Sequence, residues 1–204
     1  MDMAVDYGSA VGKAWKYAAN GKRIAAFFLF LLIAFIFVLT PLYLLYRGIA
    51  GMALAGMFNF FSLMGTLFYM FIGFAAAFLV MLYATLVFTH NYANPKSLSG
   101  SAGAAKSVYL RFLAASIIVG AITFFVAAVP FVGVILAIII SLMFFFLPQE
   151  IAVGRSDLSA ALSNSYMLFR KKWVDTIITL VISGVLGFLV LLIFAIPLMV
   201  VGFS

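Results

Sequence analysis

The chain contains no cysteine, a single histidine and only five acidic residues among 204. The absence of cysteine excludes disulfides, thiolate nucleophiles and cysteine-ligated metals. The one histidine, His90, cannot complete a metal coordination sphere by itself. The sequence also lacks a Gly-rich phosphate loop, a Ser/His/Asp arrangement and a carboxylate pair. It therefore predicts a protein that is not an enzyme and has no cofactor, with lipid-modifying chemistry at His90 and Glu150 as the alternative left open.

Charged residues are scarce as well, at 8% of the chain, whereas hydrophobic residues make up 68%. Soluble domains have about a quarter of their residues charged. A water-soluble fold with so few charges would have too little polar surface to cover itself. The expected solvent is therefore lipid. The net charge of +7 then indicates membrane topology and attraction to anionic headgroups, not nucleic-acid binding.

Five apolar stretches are long enough to cross a bilayer, because a helix of about 20 residues spans a hydrocarbon core of about 30 Å. The stretches are Ile24–Tyr46, Thr66–Thr89, Val108–Val129, Phe131–Leu147 and Trp173–Ile196. They predict an all-α, polytopic helical membrane protein with about five transmembrane helices, joined by interfacial amphipathic helices.

Prolines and one ambiguous segment set the predicted boundaries of the spans. Pro41, Pro130 and Pro197 are expected at span ends, where a missing backbone donor costs little. Segment Arg47–Gly65 is apolar but rich in glycine, and we expect an interfacial helix or an extension of the second span. A sixth crossing there would place every later loop on the opposite side of the membrane, so the basic residues would be divided between the two sides.

The distribution of basic residues predicts the orientation. With the amino terminus inside, eleven of the twelve basic residues fall on the cytoplasmic side and Arg47 falls outside. The eleven are Lys13, Lys16, Lys22, Arg23, Lys96, Lys106, Arg111, Arg155, Arg170, Lys171 and Lys172. By the positive-inside rule, this asymmetry predicts a multi-pass protein of the cell membrane with a cytoplasmic amino terminus and an outside carboxyl terminus.

A repeated unit organises the chain. Each copy has a Ser/Ala-rich segment with a polar edge, then about 20 apolar residues, then a proline. We predict a single transmembrane domain over residues 1–204, with pseudo-repeated helical hairpins at about 4–98, 99–155 and 156–204. In the first and third copies the Ser/Ala-rich segment has the periodicity of an amphipathic helix in the membrane interface.

Basic residues flank these amphipathic helices and form the predicted lipid or partner face. The residues are Lys13, Lys16, Lys22, Arg23, Lys171 and Lys172. One interpretation is that the helices are structural elbows leading into the spans. The other is that they present a docking surface for anionic lipid or for a cytoplasmic protein partner.

Glu150 is the acid of greatest interest, because it follows Pro148 at the inner end of the fourth predicted span. An ionisable group at that depth normally needs a partner. We predict a structural ion pair with Arg155 or with the cluster of Arg170, Lys171 and Lys172. A proton or ion relay is the alternative, although a relay needs further ionisable groups deeper in the bundle.

A short motif lies between the fourth and fifth predicted spans. An aromatic-x-x-Pro-x-x-Ile-Ala pattern precedes a helix with Ala-Leu-x-x-Ser, and a tryptophan begins the next span. The motif residues are Phe145, Pro148, Ile151, Ala152, Ala161, Leu162, Ser165, Leu168 and Trp173. This pattern resembles uncharacterised prokaryotic integral membrane families allied to the glycerophosphodiester phosphodiesterase membrane domain. The resemblance implies a six-span helical domain without established chemistry, and this chain departs from it by lacking a clear sixth span.

These observations favour a non-enzymatic membrane subunit or scaffold. Its cytoplasmic face would bind anionic membrane lipid or a protein partner, which includes a second copy in a homo-oligomer. The alternative is a transporter or channel for a small or lipid-like solute. A transporter predicts a polar cavity at mid-membrane, whereas a scaffold predicts a packed core and an exposed basic face.

Overall fold

The computed structural model describes residues 7–55, 60–95 and 97–185. Regular secondary structure in these ranges is entirely α-helical, which confirms the predicted all-α class. The helices are α1 (Tyr7–Ala18), α2 (Gly21–Ala55), α3 (Phe60–Ala93), α4 (Leu98–Ala127), α5 (Gly133–Met143), α6 (Leu147–Ala152), α7 (Leu158–Lys171) and α8 (Trp173–Val185).

Four helical stretches are long and apolar enough to cross a membrane. They are Gly21–Gly51, Leu63–Ala93, Leu98–Ala127 and Gly133–Ala152. Between 11% and 28% of the most apolar window of each is buried inside the protein, so most of each window lies on the outside of the helical bundle. The chain is therefore a polytopic helical membrane protein. The predicted fifth span begins as α8, and its residues 186–196, together with Pro197, lie outside the described residues.

The prediction that prolines mark span ends is wrong for Pro41. Helix α2 continues through this proline and is 35 residues long, or about 52 Å at 1.5 Å per residue. A proline inside a helix removes one backbone donor, which here leaves the Phe37 carbonyl without its usual partner. Gly73 of α3 packs at this point, and a Cβ there would overlap the Phe37 carbonyl oxygen and lie 2.5 Å from Pro41 Cγ. Because Gly73 has no side chain, α3 can pack closely against α2 at the Phe37 carbonyl and the Pro41 ring.

Segment 47–65 does not form a separate interfacial helix in its described part. Its first residues are the last turns of α2, which end at Ala55, and its later residues are the first turns of α3, which begins at Phe60. Extension of the second span is therefore the expectation that holds, and the first span is extended as well. Pro130 behaves as predicted, because it lies in the turn between α4 and α5.

Adjacent helices form antiparallel hairpins. Helix α2 packs along α3, α3 along α4, and α4 along α5. Tyrosine hydroxyls join α3 to α4: Tyr83 donates to the Ala102 carbonyl at 2.9 Å and Tyr109 to the Leu79 carbonyl at 2.9 Å. One end of the bundle thus holds the start of α2, the end of α3 and the start of α4. We call it the basic end, because Lys22 and Arg23 lie there.

The buried core lies towards the basic end and is centred on α6. This short helix begins after a turn at 144–146, has a proline in its first turn, and packs on α3, α4 and α7. The core residues are Leu86, Val87, Ala105, Val108, Phe112, Ala115, Leu147, Ile151, Ala152 and Ala161. Because α6 inserts between the helices, the basic end is the well-packed part of the protein and can hold side chains in fixed positions.

Candidate functional site

The described part of the basic end contains a polar network centred on Asn91, whose exposed fraction is 2%. Its Oδ1 accepts hydrogen bonds from the Tyr17 hydroxyl at 2.9 Å and from Arg23 Nε at 3.0 Å. Its Nδ2 donates to Ser101 Oγ at 3.1 Å and to the Ser97 carbonyl at 3.3 Å. These four bonds use both acceptor positions and both donors of the amide. Asn91 therefore joins α1, α2, α3 and α4 at one point.

Arg23 is fixed by three contacts at the start of α2. Besides the bond from Nε to Asn91, Nη1 donates to the Tyr17 carbonyl at 3.0 Å. The guanidinium also stacks 3.8 Å from the centroid of the Tyr17 ring. A planar guanidinium suits this combination of directed bonds and stacking, which a lysine ammonium cannot reproduce.

Tyr17 attaches α1 to the rest of the bundle. Its hydroxyl also lies 3.1 Å from the Phe88 carbonyl oxygen, so two acceptors on α3 share one proton. Its ring meets the edge of Tyr92, with centroids 5.0 Å apart. Burial raises the pKa of Tyr17, and the positive charge of Arg23 partly offsets this effect. The hydroxyl therefore stays protonated near neutral pH and remains a donor.

A polar pocket lies beside this network, between the α1–α2 junction and the α3–α4 loop. Its volume is about 330 Å³, within the range of about 300–1,000 Å³ for small-molecule sites. It is lined by Asn20, Lys22, Arg23, Asn91, Pro95, Ser97 and Leu98. None of these lining residues is acidic. Two cationic side chains and the amino-terminal turn of α4 therefore give the pocket a positive potential.

Local sequence explains why α4 begins in the pocket wall. Ser97 has extended backbone geometry and accepts a hydrogen bond from the Gly100 backbone N–H at 3.1 Å. This is the usual geometry of a serine N-cap. The Ser97 carbonyl accepts from both the backbone and the hydroxyl of Ser101. His90 lies at the margin of the network, with Nδ1 3.3 Å from Ser101 Oγ.

Glu150 has neutral partners in place of the predicted basic ones. Its Oε2 accepts hydrogen bonds from Asn164 Nδ2 at 3.1 Å and from Ser156 Oγ at 3.4 Å. The four residues predicted to pair with it, Arg155 and Arg170–Lys172, are exposed and lie outside this contact. The physical reason is that α6 presents Glu150 to the side of α7 near Asn164, whereas the basic cluster ends that helix about two turns further on.

An ion pair links α4 to the start of α7 instead. Arg111 Nη1 lies 3.9 Å from Asp157 Oδ1, and the two side chains are 48% and 89% exposed. Such an exposed pair contributes little to stability. The ties between α6 and α7 are therefore the hydrogen bonds of Glu150 and the packing of the core, not ionic contacts.

The predicted lipid or partner face is divided in the structure. Lys22 and Arg23 line the pocket, whereas Lys13 and Lys16 are exposed on α1 and lie outside its wall. Lys171–Lys172 are exposed where α7 ends and α8 begins. Two residues of the predicted face, Lys22 and Arg23, thus line the pocket. Asn91 and Ser97 line it as well, although the sequence did not single them out.

The motif between the fourth and fifth predicted spans has a packing role. Ile151, Ala152, Ala161 and Ser165 are buried, and Leu162 packs against the same core. The Ser165 hydroxyl donates to the Met143 carbonyl at 3.1 Å and ties α7 to the end of α5. The tryptophan of the motif, at position 173, is exposed at the start of α8. Most of these residues thus hold α6 and α7 together.

The fold and this site define a polytopic α-helical membrane protein with a buried polar network and a positive pocket at one end. No protein-family model, no curated protein and no solved structure matches the chain. The resemblance of residues 145–173 to the membrane domain allied to glycerophosphodiester phosphodiesterases therefore stays a prediction.

Proposed function

We propose that this protein is a non-enzymatic membrane subunit or scaffold whose basic end faces the cytoplasm and binds anionic lipid headgroups. The observation that carries the proposal is the pocket that Lys22 and Arg23 line, with no acidic residue among the described residues of its wall. Anionic headgroups are abundant in the cytoplasmic leaflet, and basic residues at that level are attracted to them by about 1 kcal/mol each.

Charge distribution supports the same orientation. Helix α1 and the start of α2 carry four basic residues, and the α7–α8 junction carries three. Arg47, on the last turns of α2, lies at the opposite end of a long helix. Under the positive-inside rule this asymmetry favours a cytoplasmic basic end. Because the chain has no natural cysteine, single cysteines can report its topology directly.

The arrangement of polar groups favours binding over chemistry. Asn91 uses all of its hydrogen-bonding capacity on protein partners. His90 contacts a serine hydroxyl that itself donates to a backbone carbonyl, so this serine is not activated as a nucleophile would be. The side chains described at this end hold the structure and leave charge, not a nucleophile, facing the pocket.

Transport is the less favoured function. A transporter of the kind expected from the sequence has its binding site near the bilayer midplane. The pocket described here lies instead beside the start of α2 and the start of α4, at the end of the bundle. Its position supports headgroup binding more directly than passage of a solute.

The proposed orientation is tested by accessibility of single cysteines. Ser99→Cys and Ser163→Cys, both at exposed positions near the basic end, should react with a membrane-impermeant maleimide only from the cytoplasmic side. Val129→Cys, in the exposed turn between α4 and α5, should react only from outside. Labelling of positions 99 and 129 from the same side would refute the proposed topology.

The proposed binding is tested by melting the purified protein in detergent with added lipid. We expect phosphatidylglycerol to raise the melting temperature and phosphatidylcholine at the same concentration to raise it less, because a ligand of the folded state stabilises it. Equal stabilisation by the two lipids would count against recognition of anionic headgroups.

A further inference from the structure

We propose that the basic-end pocket is a specific site for one phosphate group of an anionic phospholipid headgroup. The inference rests on the proposed function and narrows it from a basic surface to a single cavity. Two cationic side chains, one hydroxyl and the first turn of a helix surround that cavity, whose volume is about 330 Å³. Each of these groups is a ligand that phosphate commonly meets in proteins.

The guanidinium of Arg23 is oriented before any ligand arrives. It has five N–H donors. Among the described residues, Asn91 and the Tyr17 carbonyl take two of them, through Nε and Nη1. Stacking on the Tyr17 ring fixes the plane of the group. The other donors belong to a side chain that lines the pocket, where a fixed guanidinium can hold phosphate through two parallel bonds.

Lys22 and Ser97 provide further groups for the same ligand. The Lys22 side chain forms neither a hydrogen bond nor an ion pair with another described residue, so its ammonium is available. Ser97 Oγ accepts from the Gly100 backbone N–H at 3.1 Å, which leaves its own proton free to be donated. The amino-terminal turn of α4 starts at the next residue and adds the positive end of the helix dipole.

Among the described residues, no acid lines this pocket. Glu150 is occupied by Asn164 on the side of α7, and Asp157 pairs with Arg111 at 3.9 Å. Neither acid lines the pocket. Two positive charges therefore share one cavity without a described counter-ion in its wall, and an anionic ligand would relieve their mutual repulsion.

The depth of the pocket favours a lipid phosphate over a soluble one. Trp15, on α1, and Tyr92, which packs against Tyr17 and follows Asn91 in the chain, are 72% and 51% exposed. Exposed tryptophan and tyrosine are characteristic of the headgroup level of a bilayer. The apolar part of α2 begins one residue after Arg23, at Ile24, so an acyl chain could continue along the helix from a phosphate held in the pocket.

The test compares two lysines that differ in position but not in charge. Lys22→Gln removes a cation from the pocket wall, whereas Lys13→Gln removes one from the exposed side of α1. Binding of phosphatidylglycerol to delipidated protein is titrated by native mass spectrometry. We expect Lys22→Gln to weaken binding of the tightest bound lipid by at least about tenfold, the lower end of the range for a hydrogen bond to a charged group. Lys13→Gln should leave it unchanged, and Lys22→Arg should retain it.

Every outcome of this titration decides a point. Equal weakening of lipid binding by Lys22→Gln and Lys13→Gln would refute the proposal that the pocket is a specific phosphate site. The proposed binding of anionic lipid would still stand, because the basic surface would then bind lipid as a whole. Failure of the wild-type protein to prefer phosphatidylglycerol over phosphatidylcholine would overturn both. Inorganic phosphate at the same concentration should not displace the lipid, and displacement would overturn the assignment to a headgroup.

Discussion

Replacement of Asn91 by alanine tests the network that forms the pocket wall. This side chain is almost completely buried, and it is the point at which four helices meet. Asn91→Ala removes two hydrogen bonds to Oδ1 and two from Nδ2 in one step. The expected result is a loss of stability, together with release of Arg23 from its fixed orientation.

The magnitude follows from the partners that remain. Four hydrogen bonds at about 1 kcal/mol each set an upper value of about 4 kcal/mol. The Tyr17 hydroxyl keeps the Phe88 carbonyl as an acceptor, and the Ser101 hydroxyl keeps the Ser97 carbonyl. Arg23 can turn to water through the pocket that it lines. All four partner groups thus keep or gain another contact, and we expect about half of the upper value, a loss of about 2 kcal/mol.

The assay is reversible unfolding in mixed micelles, with Asn94→Ala as the matched control. Asn94 is three residues further along the chain and exposed, so its loss should change the free energy of unfolding by less than about 0.5 kcal/mol. Asn91→Ala should also weaken phosphatidylglycerol binding, because Arg23 is no longer held. If the two alanine variants are equally stable, the reasoning about the network is refuted.

Three further predictions address other contacts. Gly73→Ala should destabilise the protein by about 1–3 kcal/mol through overlap with the Pro41 turn of α2, whereas Gly120→Ala, with open space at its Cβ position, should not; equal melting temperatures would contradict the close approach. The pKa of Tyr17 is raised in the folded state, so its hydroxyl contributes stability that is fully present below the unfolded pKa of about 10 and is lost as pH rises through the higher folded value. The difference in melting temperature between wild type and Tyr17→Phe should therefore shrink above about pH 10, and a difference that grows with pH would oppose this assignment. Asp157→Asn breaks an exposed ion pair and should cost less than about 1 kcal/mol; a larger loss in chemical denaturation would show that the pair is more important than its exposure indicates.

Apolar runs were sufficient to predict the helical class and the position of four spans. The boundaries of the spans were harder to predict. The expectation that a proline ends a span considers only the helix that contains the proline and not its neighbours. Pro41 lies inside α2 where Gly73, on the neighbouring helix, has no side chain to collide with the proline ring. That fit depends on two residues far apart in the sequence, so no local pattern could reveal it.

The candidate site was only partly predictable for the same reason. Lys22 and Arg23 were expected to meet lipid because basic residues beside a span commonly do. Asn91 was not expected to belong to the site, because its burial depends on Tyr17, which is 74 positions away in the sequence. The one available signal was an asparagine close to the end of a long apolar run. For Glu150, the sequence predicted a basic partner, whereas its described partners, Asn164 and Ser156, are neutral.

A structure determined in bilayers that contain phosphatidylglycerol tests the central claim most directly. We expect a phosphate in the pocket, with one of its oxygens about 2.7–3.2 Å from a guanidinium nitrogen of Arg23. Lys22 should approach the same phosphate. A structure in which headgroups are resolved elsewhere on the basic end while water fills the pocket would contradict the account.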